Sequence, residues 1–338
     1  MRKIWESDKW YDVLRYWVDF TTRSSFSHLE ISGRENIPAD GSIMYAPNHC
    51  AALMDPLMIL LIRHESVAFA ARFDIFRNPK IASVLRWLRI LPLARERDGL
   101  KEVAGNYESF GQIVECMDHR VPFCIFSEGT HRAQRGMLPV KKGIFRISKM
   151  ALDANGKKVY IVPVGIDYEH FFREGGRAAI RIGKSIDLGE YFAAKAGCSE
   201  NEVYRSLCTD LREELLSLIG RIPERRHDRL VLRSLVSLLS LPLFVACIVP
   251  AAPIWLPEAL IVSRLKDKAW THTVSFALRL LLPVFVPFYL LFNRLLNLYR
   301  DLLEDLRGEC RGALHPFRQT MAVVQNRLVK VPLPEGFV

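Results

Sequence analysis

The chain has 338 residues, half of them apolar and a quarter charged, with 47 Lys and Arg against 37 Asp and Glu for a formal net charge of +10. That supplies enough core-forming residues for one large or two ordinary folded domains, and it excludes a disulfide-stapled miniprotein and a globally disordered chain. The positive balance points to an anionic partner: nucleic acid, a membrane surface or a phosphorylated substrate. The seven cysteines (Cys50, Cys116, Cys124, Cys198, Cys208, Cys247 and Cys310) make no CxxC pair. A zinc ribbon or thioredoxin-type site therefore has no support, and the odd, scattered set suits a reducing compartment.

Taken in chain order, the first apolar stretch is interrupted by Asp12, Arg15 and Asp19, so it does not read as a secretory signal. KWYDVLRYWVDF reads as an amphipathic helix with Val13, Leu14, Trp17 and Val18 on one face. Trp5, Trp10, Tyr11, Tyr16 and Trp17 suit the headgroup layer of a membrane, and a helix packed on the protein itself fits the same pattern. From residue 28 to 222 strand and helix signals alternate. Strands are expected at 28–33, 42–48, 67–72, 90–95, 121–126, 159–167 and 178–187. Helices are expected at 78–88, opened by Asn78 and Pro79, at 102–119, and at 199–220, where Ser199 and Glu202 form a capping box. Such alternation indicates an α/β fold with a central, mostly parallel or mixed sheet flanked by helices.

The C-terminal third is different. Ser234 to Pro257 is a run of 24 residues without a charge, long enough to cross a bilayer core. A second apolar stretch, Ala269 to Phe292, carries His272 and Arg279 and is the weaker candidate. Together they read as an apolar helical hairpin. Pro242, Pro250, Pro253, Pro257, Pro283 and Pro287 leave a shallow or re-entrant form open. Five arginines in residues 221–233 precede it and favour a cytoplasmic flank.

Four segments carry chemistry. In NHCAALMDP, His49 leaves a strand end and Asp55 follows six positions later. A His/Asp pair is a general base with the group that orients it. On a straight helix positions six apart diverge by roughly 120°, so the intervening residues must loop, with a helix starting after Asp55. A plain helix cap at Asp55 and a structural histidine at a sheet edge fit the same residues. In FSEGTHR, Glu128, Gly129 and Thr130 leave a strand in a tight turn with Arg132 beyond, and Lys141 precedes the next helix. Turn N–H groups, a hydroxyl and cationic side chains can cradle a phosphate, and a basic surface turn is the plainer alternative. LPLAR ends in Arg95, a candidate phosphate clamp. VYIVPVGID carries no reactive group, and Pro163 in it reads as a pocket wall or a bulge.

In this order the four segments resemble the glycerophospholipid acyltransferase family, which includes lysophosphatidic acid and glycerol-3-phosphate acyltransferases. The resemblance covers roughly residues 28 to 222. It implies that His49 is the general base on the acceptor hydroxyl, that Asp55 orients it, and that the hydroxyl attacks the acyl thioester without an acyl-enzyme. It further implies that Arg95, Glu128, Gly129, Thr130 and Arg132 hold the acceptor's phosphate or glycerol head. The His–Asp spacing is one residue longer than is usual in the family and is similar to that of a eukaryotic glycerol-3-phosphate acyltransferase subgroup. Ser127 stands where the family usually has proline, and His131 displaces the arginine by one place.

On this reading residues 1–27 are an amphipathic helix, 28–225 the acyltransferase domain, 226–295 the membrane hairpin and 296–338 a cytoplasmic segment. The expected protein is a membrane-bound O-acyltransferase of phospholipid biosynthesis, acting on lysophosphatidic acid from the cytoplasmic face. Glycerol-3-phosphate is the close alternative acceptor and a lyso-aminolipid a more distant one. A non-catalytic lipid-binding protein is the alternative of a different class. No cofactor or metal is expected, since acyl-CoA or acyl carrier protein serves as co-substrate and the histidines show no paired-ligand spacing. Membrane lipids are expected partners; nucleic acid is not.

Overall fold

The computed structural model describes residues 3–6, 8–94, 106–132, 136–171, 174–222, 230–267 and 270–328. The apolar runs that lack alternation lie in the middle of a sheet. Strand β2 (Ser42–Pro47) is buried at every residue and β6 (Val159–Tyr168) at all but Asp167, as strands covered on both faces are. Around them stand β1 (His28–Ser32), β3 (Ala68–Arg72), β4 (Ile90–Leu93), β5 (Phe123–Cys124) and β7 (Arg177–Ile182), in the spatial order β1-β7-β6-β2-β5-β3-β4. The short β8 (Ile186–Asp187) also pairs with β6. Every pairing is parallel except β6 with β7 and β6 with β8. The sheet is thus mixed and eight-stranded.

Two sequence expectations change here. The strand expected at 178–187 is two strands with a break between them, and the strand expected at 121–126 narrows to Phe123–Cys124. The break explains Pro163. Along β6 the antiparallel partner is β8 as far as Ile161 and β7 from Val164 onward. Pro163 sits between the two, where the missing N–H leaves no ladder bond unmade, and its carbonyl accepts from Gly183 N–H at 3.0 Å.

Helices α1 (Lys9–Ser24), α2 (Met54–Leu60), α3 (Pro79–Trp87), α4 (Asn106–Asp118), α5 (Gly143–Asn155), α6 (Leu188–Ala194) and α7 (Glu200–Leu218) cover the sheet. Asn78 caps α3 by accepting from Lys80 and Ile81 N–H, and Ser199 and Glu202 form the expected capping box of α7. Because strand side chains alternate between faces, neighbouring residues enter different cores. Tyr45 and Val162 join Phe26, Met58 and Phe276 on one side, while Met44 and Ile161 join Phe123, Phe145, Leu207 and Leu211 on the other.

The chain divides into two units, Met1–Pro223 with Pro253–Val286, and Glu224–Ala252 with Pro287–Val338. The first contains the sheet and helix α9 (Thr271–Leu281), which is an integral part of it. Arg279 on α9 is fully buried. Its guanidinium donates to Thr21 O (2.9 Å), Ser24 Oγ (3.1 Å), Ser25 Oγ (2.6 Å) and Glu174 Oε1 (2.7 Å). Phe276, one turn earlier, packs in the same core as Phe26. The His272 and Arg279 that weakened this stretch as a membrane span therefore face protein. The stretch is also broken, since α9 ends at Leu281 and a short 3₁₀ turn starts at Pro283.

In the second unit the early part of helix α8 (Leu230–Arg264) pairs with helix α10 (Val286–Leu328). Arg233 meets Asp305 at 2.6 Å, Ser240 Oγ lies 3.1 Å from Tyr299 Oη, and Phe244 stacks on Phe292. The partner number falls as the α8 number rises, so the two helices run antiparallel. A helical hairpin is present, with its second arm centred later in the chain than 269–292. Helix α8 continues through all four of its prolines, and by length and composition it could cross a membrane.

α1 carries an exposed stripe of Trp10, Val13, Tyr16 and Phe20, while Tyr11 and Arg15 are buried. Tyr11 lies against the Arg89 guanidinium, and Arg15 donates to the carbonyls of Leu60, the last residue of α2, and of Arg63 just beyond it. The helix therefore packs on the protein through one face and leaves aromatic residues on the other.

Removing one partner of a buried, fully bonded ion pair strands the other charge. Arg279→Ala is expected to lower the unfolding free energy by about 3–5 kcal/mol, measured by urea unfolding in detergent. An effect no larger than that of an exposed arginine would contradict this account of α9.

Candidate active site

β2, β5 and β6 run parallel, so their C-terminal ends share one edge of the sheet, the edge where open α/β sheets hold their ligands. His49 follows β2, the FSEGTHR turn follows β5, and Tyr168 ends β6. Asn48 fixes the exit of β2. Its side-chain amide donates to Ile166 O (3.1 Å) and accepts from Ile166 N–H (2.7 Å), extending the ladder by one rung.

Residues 48–53 loop before α2 begins at Met54, close to the expected start after Asp55. The loop brings His49 Nδ1 to 2.8 Å from Asp55 Oδ2. The same oxygen accepts the backbone N–H groups of Cys50 and Ala51, each at 2.7 Å, and Oδ1 accepts Tyr168 Oη–H at 2.8 Å. Asp55 is thus no helix cap. The cap position is Leu53, and the carboxylate reaches back into the loop before the helix. An anionic oxygen that already accepts two N–H groups requires Nδ1 of His49 to be a donor as well. The imidazole then presents the Nε2 lone pair, the tautomer of a general base. The His49 side chain is 16% exposed and its partner 0%, so the base reaches the surface while its anchor does not. The ring stacks on Phe126, with centroids 4.2 Å apart.

Two further buried groups in this cluster stay neutral. Burial, and then the Asp55 charge, push the Tyr168 phenol well above its usual range, so it remains a hydrogen-bond donor. Burial and the same carboxylate do likewise for the Cys50 thiol.

Ala52 supplies the bend of the loop. Its φ is +44°, in the left-handed region. This turn lets five residues separate His49 from Asp55 while the carboxylate still returns to the imidazole.

Glu128 is buried at the head of the second turn. Its Oε1 accepts His49 N–H at 2.8 Å and its Oε2 accepts Leu138 N–H at 2.9 Å. Burial raises its carboxyl above the ordinary range, and these two N–H groups and His49 oppose the rise. Arg132 N–H donates to His49 O at 3.2 Å. The backbone of His49 is therefore clamped on both sides by the FSEGTHR turn, a link that neither motif shows alone. Gly129 turns the chain with φ +70°, a conformation in which a side chain would be strained.

The remaining sequence candidates are placed as follows. Thr130 and the Arg132 side chain are exposed beside His49's turn, and Lys141 is exposed just before α5, its N–H bonded to Ser127 O at 2.8 Å. The first turn of α5 has no side-chain cap. Arg95 lies outside the described residues. Sequence reasoning missed Tyr168, which stands one residue beyond the segment read as unreactive. Its only signal was its place at the C-terminal end of a buried strand.

Residues 28–167 match the family model described as Acyltransferase. The His49–Asp55 pair lies inside the matched region. Among solved structures it is similar to the 1-acyl-sn-glycerophosphate (LPA) acyltransferase PlsC from Thermotoga maritima, with 21% identity, a TM-score of 0.44, and coverage of 65% of this chain and 87% of that one. No curated protein matches the chain significantly.

Replacing the base is expected to lower kcat by about 10²–10⁴-fold in His49→Ala. Tyr168→Phe removes one hydrogen bond to a buried charge, about 1.5–3 kcal/mol of stability, with a smaller loss of kcat. Initial-rate assays and thermal unfolding of both variants would show whether the effects divide in this way. At Ala52 a side chain in the left-handed region opposes folding by roughly 1–2 kcal/mol. Ala52→Gly should hold or raise the melting temperature, and Ala52→Val should lower it.

Proposed function

We propose that the protein is a membrane-associated O-acyltransferase that transfers a fatty acyl group from acyl-CoA or acyl carrier protein to the hydroxyl of a lysophosphatidic acid. The observation that carries this reading is the His49–Asp55 pair at 2.8 Å within an acyltransferase domain. His49 Nε2 takes the proton from the acceptor hydroxyl as its oxygen attacks the thioester carbonyl. The tetrahedral intermediate collapses, the C–S bond breaks, and the leaving thiolate takes the proton back from the imidazolium. Asp55 keeps the ring in the right tautomer and balances its charge while it is protonated.

The membrane part of the proposal is supported by α8 and by the exposed aromatic stripe of α1, which has the residue types that settle among lipid headgroups. The catalytic domain would then work at the cytoplasmic surface, drawing a lipid acceptor from the bilayer and a soluble donor from the other side. Thr130, Arg132, Lys141 and Arg95 are the proposed contacts to the acceptor's head. Glu128 serves them by holding the turn in place. Glycerol-3-phosphate is the second acceptor to consider, because the long His–Asp loop is similar to that of its acyltransferases.

The test is direct. The full chain, in detergent or vesicles with labelled acyl-CoA, should convert lysophosphatidic acid to phosphatidic acid, and His49→Ala should lower turnover by about 10²–10⁴-fold while vesicle binding persists. Acylation of glycerol-3-phosphate in preference would move the assignment to the second acceptor. No transfer to any phosphate-bearing acceptor would overturn it.

A further inference from the structure

Helix α9 is largely polar on the face it buries and apolar on the face it exposes, the reverse of an ordinary surface helix. Its buried residues are Thr271, His272, Ser275, Phe276 and Arg279, of which only the phenylalanine is apolar. The opposite face carries Trp270, Val274, Ala277 and Leu281, spaced as i, i+4, i+7 and i+11, and Val284 continues the line past the helix end. Trp270 is 43% exposed, Leu281 74% and Val284 75%. The helix lies along the edge of the sheet that carries His49. His272 Nε2–H donates to His170 O at 3.3 Å, just past β6, and Arg279 meets Glu174 in the connection from β6 to β7. Where α9 begins, Asp267 Oδ2 is 2.9 Å from His131 Nε2, and Trp270 lies edge-on to the His131 ring at 6.2 Å. That ring is in turn 5.4 Å from the ring of His49. Where α9 ends, Arg279 holds Thr21 O and Ser24 Oγ of α1, the helix with the exposed stripe Trp10, Val13, Tyr16 and Phe20.

We propose that the exposed face of α9 rests on an anionic lipid leaflet, so that a lipid acceptor reaches His49 along this helix without passing through water. The inverted polarity carries the proposal. The guanidinium of Arg279 is satisfied inside the protein, and an unbroken apolar line is left outside, where water solvates it poorly and hydrocarbon does not. Charge selects the occupant. Arg264 and Lys266 are exposed in the link that leads to Trp270, and Arg23 is exposed beside the α1 residues that Arg279 holds. Cations flanking an apolar face match anionic headgroups above acyl chains. A second copy of the chain docked symmetrically on the same face would instead bring like charges together. Trp270 has the side chain of a headgroup-level anchor and stands at the active-site end of the line. The contact with the leaflet stands on α9 alone; the access route rests on the reading that the acceptor is a lysolipid.

Two measurements on the full chain test this. In the first, the parent protein is bound to vesicles of phosphatidylcholine and phosphatidylglycerol doped with a phosphatidylcholine that carries a photoactivatable diazirine in its acyl chain. After irradiation, adducts mapped by peptide mass spectrometry should fall on residues 270–284 and be absent from exposed Thr209 on α7, across the sheet. Labelling of α8 is expected in either case and does not decide the matter. In the second, Val274→Glu and Leu281→Glu are assayed with saturating acyl-CoA and two acceptors: a long-chain lysophosphatidic acid in vesicles and a short-chain one dissolved in water. Each variant should raise the KM for the vesicle-borne acceptor by about 10-fold or more, the value of one apolar side chain withdrawn from hydrocarbon. The kcat/KM for the dissolved acceptor should stay at the parent's value, which also shows that the variants are folded.

Adducts on α8 with none on 270–284, or cross-links joining α9 of two copies, would overturn the leaflet contact. An equal loss with both acceptors, or no loss with either, would overturn the access route. If the parent acylates no lysolipid, the functional reading fails and the access route fails with it, while the photolabelling still decides whether α9 meets lipid.

Discussion

Asp55 holds a negative charge that water cannot reach, and the shape of the site follows from satisfying it. A buried carboxylate without partners is strongly destabilising, so each lone pair needs a donor. Three of the donors come from His49, Cys50 and Ala51, consecutive residues of one loop, which forces that loop to wrap around the carboxylate. The fourth is the Tyr168 hydroxyl, delivered by the central strand β6. The base is therefore positioned by the same bonds that make burial of its partner tolerable. Orientation of the imidazole and stability of the fold are one requirement in this structure.

Glu128 extends the scheme to the neighbouring strand. It is the second buried carboxylate at this edge, and it too spends both oxygens on backbone N–H groups, one of them from His49. With Arg132 N–H on the carbonyl of His49, the two motif loops form a short bridge between the ends of β2 and β5. Asn48 makes the equivalent bridge from β2 to β6. Three parallel strands thus converge on one histidine by hydrogen bonds to its own backbone or its neighbours, which leaves its ring little freedom other than the tilt against Phe126.

Much of this was legible in the sequence, for identifiable reasons. The angular argument that positions six apart cannot share a helical face required a loop between His49 and Asp55, and the loop is there. Caps at Asn78 and Ser199 are local chemistry and were readable as such. What escaped were pairings across the chain. Tyr168 with Asp55, Glu128 with His49 and His131 with Asp267 join residues whose separation no local pattern encodes. Arg279 is intermediate. A charge within an apolar run signalled that the run was not a simple span, but its partners Ser25 and Glu174 lie far away in sequence. The break between β7 and β8 was hidden because both halves have strand character and only the register of β6 separates them.

The unit that holds the active site is discontinuous, and this has a consequence for the order in which the protein is made. Phe276 and Arg279, which fill and neutralise part of one face of the sheet, leave the ribosome only after the whole of α8. Until then the unit has an open apolar site beside Phe26 and lacks the guanidinium that bonds Glu174 and Ser25. Folding proceeds from the N-terminus during synthesis, so the sheet assembles first, α8 follows, and α9 closes the unit last. Completion of this unit is thereby tied to the emergence of the chain's most lipid-like helix, and a chain truncated before residue 271 would lack part of its own core.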